Sequence, residues 1–200
     1  MTGYSAFMEL DDRMGLMRVR DVCPDVRIDM RYAACDNFFG IRLYDGADAW
    51  LLADAARKLG RAANLVAKLG YRLVVLDAYR PLSVQARMWD ILPDPDFVAP
   101  MSRGSIHNRG AAADVTLADA NGVEVAMPSG FDEFSERASH GYAGGDPAAL
   151  ANRDALRHCM EQAGFKSYEA EWWHYIDPEC RDSPLLDIPL SRLEALSAQA

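Results

Sequence analysis

The chain has 200 residues, 50% hydrophobic and 26% charged, a balance that excludes a disordered or fibrous protein. Its 21 basic and 30 acidic residues give a formal net charge of −9. That charge repels phosphate backbones and anionic membranes, so neither nucleic acid nor membrane is expected as a partner. No stretch approaches the roughly 20 apolar residues that span a bilayer. A chain this long buries enough surface to fold as one domain over residues 1–200 without disulfides or metal. Roughly 25 residues at the N-terminus and roughly 20 at the C-terminus are expected to be peripheral.

The N-terminal MTGYSAFMELDDRMG carries neither a basic nor an apolar leader pattern, which points to a cytoplasmic protein. The acidic run Glu9–Asp12 reads as solvated. Apolar residues at three- and four-residue steps from Trp50 to Leu69 predict a helix over 48–69, stopped by Gly70 and weakened by Gly60. A core strand follows over 72–79, built on Leu73–Leu76 and cut at Arg80-Pro81. Residues 83–92 fit a short helix with Ser83 as N-cap, stopped by Pro93. A strand is expected over 114–117, an amphipathic helix over 152–163 closed by Gly164, and an aromatic strand over 171–176. Pro/Gly-rich stretches at 92–100, 127–130 and 141–147 read as loops. Helices and strands do not alternate regularly, so the expected class is α+β, a single domain with a mainly antiparallel sheet and flanking helices.

Cys23, Cys35, Cys159 and Cys180 form no CxxC pair, which predicts free thiols rather than a thiolate metal site. Of the four histidines, His158 reads as a surface or partly buried helix residue and His140 as a loop residue, while Trp50 and Trp89 read as core.

Three segments carry chemistry. In Ser105-Ile106-His107-Asn108-Arg109-Gly110-Ala111-Ala112-Ala113-Asp114, glycine and three alanines let the backbone fold tightly enough for His107 and Asp114 to face one point. A surface loop with a locally bonded His is the plain alternative. In Glu171-Trp172-Trp173-His174-Tyr175, the aromatics bury a Glu and a His that need bonds or a metal to be tolerated. Three-residue spacing puts Glu171 and His174 on opposite faces of a regular strand, so Glu171 must precede the strand or sit at a bulge. A satisfied core His with a solvent-facing Glu is the alternative here. In Asp77-Ala78-Tyr79-Arg80-Pro81, a strand-end arginine offers a fork of donors to an oxyanion, or else makes a structural ion pair.

Taken together, His107, Asp114 and His174 give three ligands and an open position, the pattern of a catalytic zinc site. Zinc lowers the pKa of a bound water to about 7. Glu171 is then the candidate for moving the proton and Arg80 for stabilising an oxyanion, which amounts to a metal-assisted amide hydrolase.

The motifs SIHNRGAAAD, DAYRP and EWWHY, in this order, resemble the D-alanyl-D-alanine dipeptidase family, the zinc D,D-dipeptidases of the vancomycin-resistance type. Asp29-Met30-Arg31-Tyr32, Asp36-Asn37-Phe38, Phe131-Asp132 and Ser135-Glu136-Arg137 extend the likeness, which runs from about Asp29 to Tyr175. The resemblance implies one Zn²⁺ held by His107, Asp114 and His174, with Glu171 as acid/base and Arg80 as transition-state arginine. It also implies Ser105 near the substrate carboxylate, and Tyr32 and Asp132 around the dipeptide's free amine. The implied fold is the zinc peptidase fold shared with D,D-carboxypeptidases and the hedgehog signalling domain. Asp77-Ala78 in place of the family's frequent Asp-Gly, Met127–Asp132, and the short span of 24 residues between Arg80 and Ser105 depart from the pattern. A D,D-carboxypeptidase acting on longer peptides and a non-catalytic zinc-stabilised binding domain are the competing expectations.

Overall fold

In the computed structural model, residues 14–199 are described, so the Glu9–Asp12 run and most of the N-terminal stretch lie outside the described residues. The elements, in chain order, are β1 (Leu16–Arg18), α1 (Val19–Val22), β2 (Arg27–Ile28), β3 (Trp50–Leu52), α2 (Ala53–Lys68), β4 (Arg72–Asp77), α3 (Leu82–Ile91), β5 (Ala112–Ala118), α4 (Pro147–Gln162), β6 (Lys166–Tyr168), β7 (Glu171–Ile176) and α5 (Leu190–Ser197). Single 3-10 turns occupy Arg31–Ala33, His107–Arg109 and Glu136–Ala138.

The five-stranded sheet has the order β2-β4-β5-β7-β6. It is mixed rather than simply antiparallel: β2 lies parallel to β4, and the other neighbours are antiparallel. β4 is an interior strand of this sheet, between β2 and β5. Leu73 and Val75 join the main core, while Val74 and Leu76 pack with Ala118 and Phe131 in a second cluster. A strand covered on both faces reads as a continuous apolar run, which explains Leu73–Leu76.

The long helix begins later than its periodicity predicts. Trp50-Leu51-Leu52 forms β3, paired antiparallel with β1, and α2 starts at Ala53. Trp50 and Leu51 are fully buried, and an apolar triplet covered on both sides satisfies a strand as well as a helix. α3 starts at Leu82, and Ser83 is not its cap; the distant Asp187 carboxylate accepts from Ser83 N at 2.8 Å. α4 begins five residues earlier than expected, with Asp146 accepting from Ala148 N and Pro147 in the first turn. Proline fits there because its missing N–H belongs to a position without an intrahelical partner.

Both chain ends, expected to be peripheral, feed the core: Leu16, Val19, Leu190 and Leu193 are fully or almost fully buried. Cys23, Cys35, Cys159 and Cys180 are free thiols, His158 is exposed and Trp89 packs against the core. Among the described residues, no helix is long and apolar enough to cross a membrane.

Candidate active site

The sheet register builds the site. Asp77 on β4 lies opposite Asp114 on β5, and Asp114 lies opposite His174 on β7. One row across three strands therefore carries three functional side chains, because directly opposed residues share a face of the sheet. His174 Nδ1 stands 2.8 Å from Asp114 Oδ1.

His107 reaches this row from its 3-10 turn. The chain reverses at Gly110, which holds a left-handed φ of +66°. A Cβ there would stand 2.7 Å from Leu16 Cδ2 and 3.2 Å from Leu52 N. Only glycine meets both demands. Buried Ala111, Ala112 and Ala113 follow. His107 Nε2 then lies 3.1 Å from His174 Nδ1 and 3.3 Å from Asp114 Oδ1.

These three atoms outline a metal site. Four ligands at zinc bond lengths of about 2.0–2.2 Å form a tetrahedron with edges of roughly 3.3 Å; the observed edges are 2.8, 3.1 and 3.3 Å. The second ring nitrogen of His107, Nδ1, is 2.7 Å from Ala78 O. A proton on Nδ1, donated to that carbonyl, leaves Nε2 with its lone pair toward the triad. Two imidazoles and one carboxylate are therefore a donor set that fits a divalent ion.

The electrostatics agree. Burial opposes charge on His107, yet the Asp114 and Asp77 carboxylates outweigh it and raise its pKa. Burial likewise works against ionised Asp114, but the two imidazoles hold its pKa well below the usual carboxylate range. The raised His107 pKa widens the pH range over which the metal-free triad holds a proton. Ion binding expels it. Calorimetric zinc titration in buffers of different ionisation enthalpy is expected to show proton release that grows as pH drops, with affinity falling alongside. Affinity independent of pH between 5 and 8 would contradict a ligand role for His107.

Glu171 is the first residue of β7, and the opposing strand shifts register between Ser167 and Tyr168. The strand start and the irregularity beside it resolve the spacing problem: Glu171, Trp173 and His174 all line one cavity. Burial is the main force raising the Glu171 pKa, with Asp114 adding to it and His174, His107 and Arg80 opposing.

Arg80 lines the same cavity. It donates to Asp77 Oδ2 at 2.6 Å, Gln85 Oε1 at 2.8 Å and, through Nε, Tyr44 Oη at 3.4 Å, and it lies over the Tyr32 ring. Burial works against its charge, but Asp77 and the two tyrosines raise its pKa well above the ordinary value. Three of its five donors are thereby used among the described residues, leaving two for a ligand.

The remaining expected residues also line this cavity of about 600 Å³. Ser105 Oγ accepts from His107 N at 3.3 Å. Tyr32 Oη donates to Asp132 Oδ2 at 2.7 Å. Asp132 holds φ +57°, a conformation that Asp tolerates better than most residues. Burial pushes its pKa up to about 7, helped by Asp114 and Asp77, while Tyr32 and Arg80 oppose.

Sequence reading missed the supports. Tyr44 donates to Asp77 Oδ1 at 2.5 Å. Fully buried Asn108 donates to Arg80 O and accepts from Ser105 N, stitching two motifs together. Gln85 ties Arg80 to Ala99 O. The signal that could have found them is an amide among apolar neighbours, since a buried amide needs partners. His140, expected to be a loop residue, sits in a loop but is buried against Tyr175, away from this cavity's lining.

A family model described as "D-ala-D-ala dipeptidase", Peptidase M15, matches residues 12–188. Similar proteins include the D-alanyl-D-alanine dipeptidase of Escherichia coli K12, 37% identical over 177 residues, covering 88% of this chain and 92% of that protein. Those of Enterococcus faecium and Enterococcus faecalis V583 are 34% and 33% identical, covering 86% and 80% of this chain and 94% and 90% of theirs.

Proposed function

The chain belongs to the D-Ala-D-Ala dipeptidase family of M15 peptidases, and on that premise we propose that it is a zinc-dependent enzyme hydrolysing D-alanyl-D-alanine or a close dipeptide. The observation that carries the reading is that Glu171, Arg80 and the His107–Asp114–His174 triad all line one cavity. When bound, zinc supplies Lewis acidity and brings the pKa of a water toward neutrality.

The chain's own groups do the rest. Asp132, oriented by Tyr32, pairs with the substrate ammonium. Ser105 offers its hydroxyl to the terminal carboxylate. The free Arg80 donors meet the carbonyl oxygen as it gains negative charge. Glu171, as carboxylate, takes a proton from the attacking water. It then gives that proton to the leaving nitrogen as the peptide bond breaks. Burial of Glu171 suits both halves, because a raised pKa makes the acid form accessible once the proton has been taken. The fold shared with D,D-carboxypeptidases and the hedgehog domain, one domain over 1–200 and a cytoplasmic location belong to the same reading. The net charge of −9 supports a partner list limited to small peptides.

Metal analysis with a panel of D,D-, L,L- and mixed dipeptides tests the proposal. One zinc per chain and turnover confined to D,D-dipeptides are expected. A metal-loaded protein inert on all of them would refute it.

Asp132 adds a pH signature. Below its pKa of about 7 it is neutral and pairs poorly with ammonium. Binding therefore strengthens as pH rises, until the substrate amine deprotonates near about 8. A dication at the triad lowers the first limb, placing it at or below about 7. KM for a free-amine dipeptide is expected to fall through that limb in the parent. In Asp132→Asn it should be about tenfold higher and flat, and a parent-like profile would remove Asp132 from amine recognition.

A further inference from the structure

We propose that Phe38, Phe97 and Phe134 form an aromatic clasp across the amine end of the cavity, setting the size limit on any group attached to the substrate nitrogen. The inference rests on the dipeptidase reading above and extends it to substrate length.

The three rings come from distant segments. Phe38 lies in the turn after the Arg31–Ala33 3-10 helix, Phe97 in the loop after α3, and Phe134 two residues beyond Asp132. Phe134 meets Phe38 at 5.2 Å and 85°, and Phe97 at 4.8 Å and 72°. Both are edge-to-face contacts of the kind aromatic rings favour. Phe38 in turn meets Phe39 at 5.3 Å, and Phe39 packs on Tyr32 at 6.0 Å. An unbroken run of rings thus leads from Tyr32, which bonds Asp132, through Phe39, Phe38 and Phe134 to Phe97.

Exposure and lining point the same way. Phe38, Phe97 and Phe134 are 47%, 44% and 37% exposed, unusual for a cluster of large apolar side chains. All three line the cavity that also holds Tyr32, Asp132 and Glu171. Their open surface is therefore, at least in part, its wall. The short stretch between Arg80 and Ser105, which departs from the family pattern, supplies Phe97 to this wall. A substrate ammonium paired with Asp132 fits inside the run of rings. An acyl group or further residue on that nitrogen must enter the space they bound, parting their contacts.

The test separates size from charge. The zinc-loaded protein is given D-Ala-D-Ala and its N-formyl, N-acetyl and N-hexanoyl derivatives. All three acyl groups abolish the ammonium, so loss of the Asp132 pairing cancels from their ratios. In the parent, kcat/KM is expected to fall stepwise from formyl to hexanoyl. In Phe134→Ala and Phe97→Ala the hexanoyl-to-formyl ratio should rise about tenfold or more. Hexanoyl turnover appearing only in these variants counts as the same result. Phe134→Tyr keeps the ring and should keep the steep series. Equal slopes in parent and folded alanine variants, or a flat series in the parent, would overturn the clasp. A parent inert on D-Ala-D-Ala itself would instead overturn the dipeptidase reading and the clasp with it.

Discussion

Glu171→Gln is expected to lower kcat for D-Ala-D-Ala by about a thousandfold while leaving one metal ion per chain in place. Glutamine keeps the size and an acceptor oxygen, so the cavity wall and the triad are undisturbed. It cannot accept a proton from water or return one to a leaving amine. The deficit should therefore fall on kcat and leave KM nearly unchanged, as for an interaction made only in the transition state. The pH profile gives a second signature. Burial holds the Glu171 pKa above its ordinary value, and the group must be ionised to act as base. A dication at the triad opposes that effect, so parent kcat rises with pH as Glu171 ionises, and the variant's residual rate should lack this limb. Metal content and melting temperature provide the control. A variant that kept parental turnover with zinc bound would favour the non-catalytic binding domain.

The site is legible in the sequence because its chemistry sits in short contiguous motifs. Gly110 and the alanines after it signal a tight backbone through their small size alone, and Gly110 does take a positive φ hard against Leu16. The spacing of Glu171 and His174 states a problem of strand faces. The residues name two solutions, a strand start or a bulge, and the β6–β7 pairing, which shifts register between Ser167 and Tyr168, supplies what they leave open. Register in general is hidden. Nothing local in the chain says that Asp114 faces Asp77 and His174, 37 and 60 residues away. The supports are hidden for the same reason. Asn108, Gln85 and Tyr44 are ordinary polar residues until the turn or strand that each bonds comes alongside. Short elements fail differently. β2 has two residues and draws its order from β4. Trp50–Leu52 satisfies the helical period, and only its pairing with β1 makes it a strand. α5 is anchored at its start by Asp45, which accepts from Leu190 N, a partner 145 residues away that no cap rule finds.

The second large effect is expected at Arg80, where stability and turnover respond together and then separate. Asp77 is fully buried; Arg80, Tyr44 Oη and Ala78 N donate to it, and His107 Nδ1 lies 3.6 Å away. Arg80→Met removes the counter-charge and leaves that carboxylate in the interior. Breaking a buried pair from one side costs about 3–5 kcal/mol, so chemical denaturation should register a loss of this order. Turnover should fall about a hundredfold to a thousandfold as well, since the donors proposed for the oxyanion are gone. Adding Asp77→Asn separates the two. Asparagine keeps an acceptor for Tyr44 and Ala78 but carries no charge, so most of the stability should return. The catalytic loss should remain, because no cation faces the cavity from that position. Recovery of both in the double variant would reduce Arg80 to a structural partner of Asp77; recovery of stability alone supports its proposed part in the reaction. Arg80→Lys sharpens the comparison. A lysine keeps the charge but lacks the planar fork that bonds Asp77, Gln85 and Tyr44 together. It should hold more of the stability than methionine and regain little of the rate.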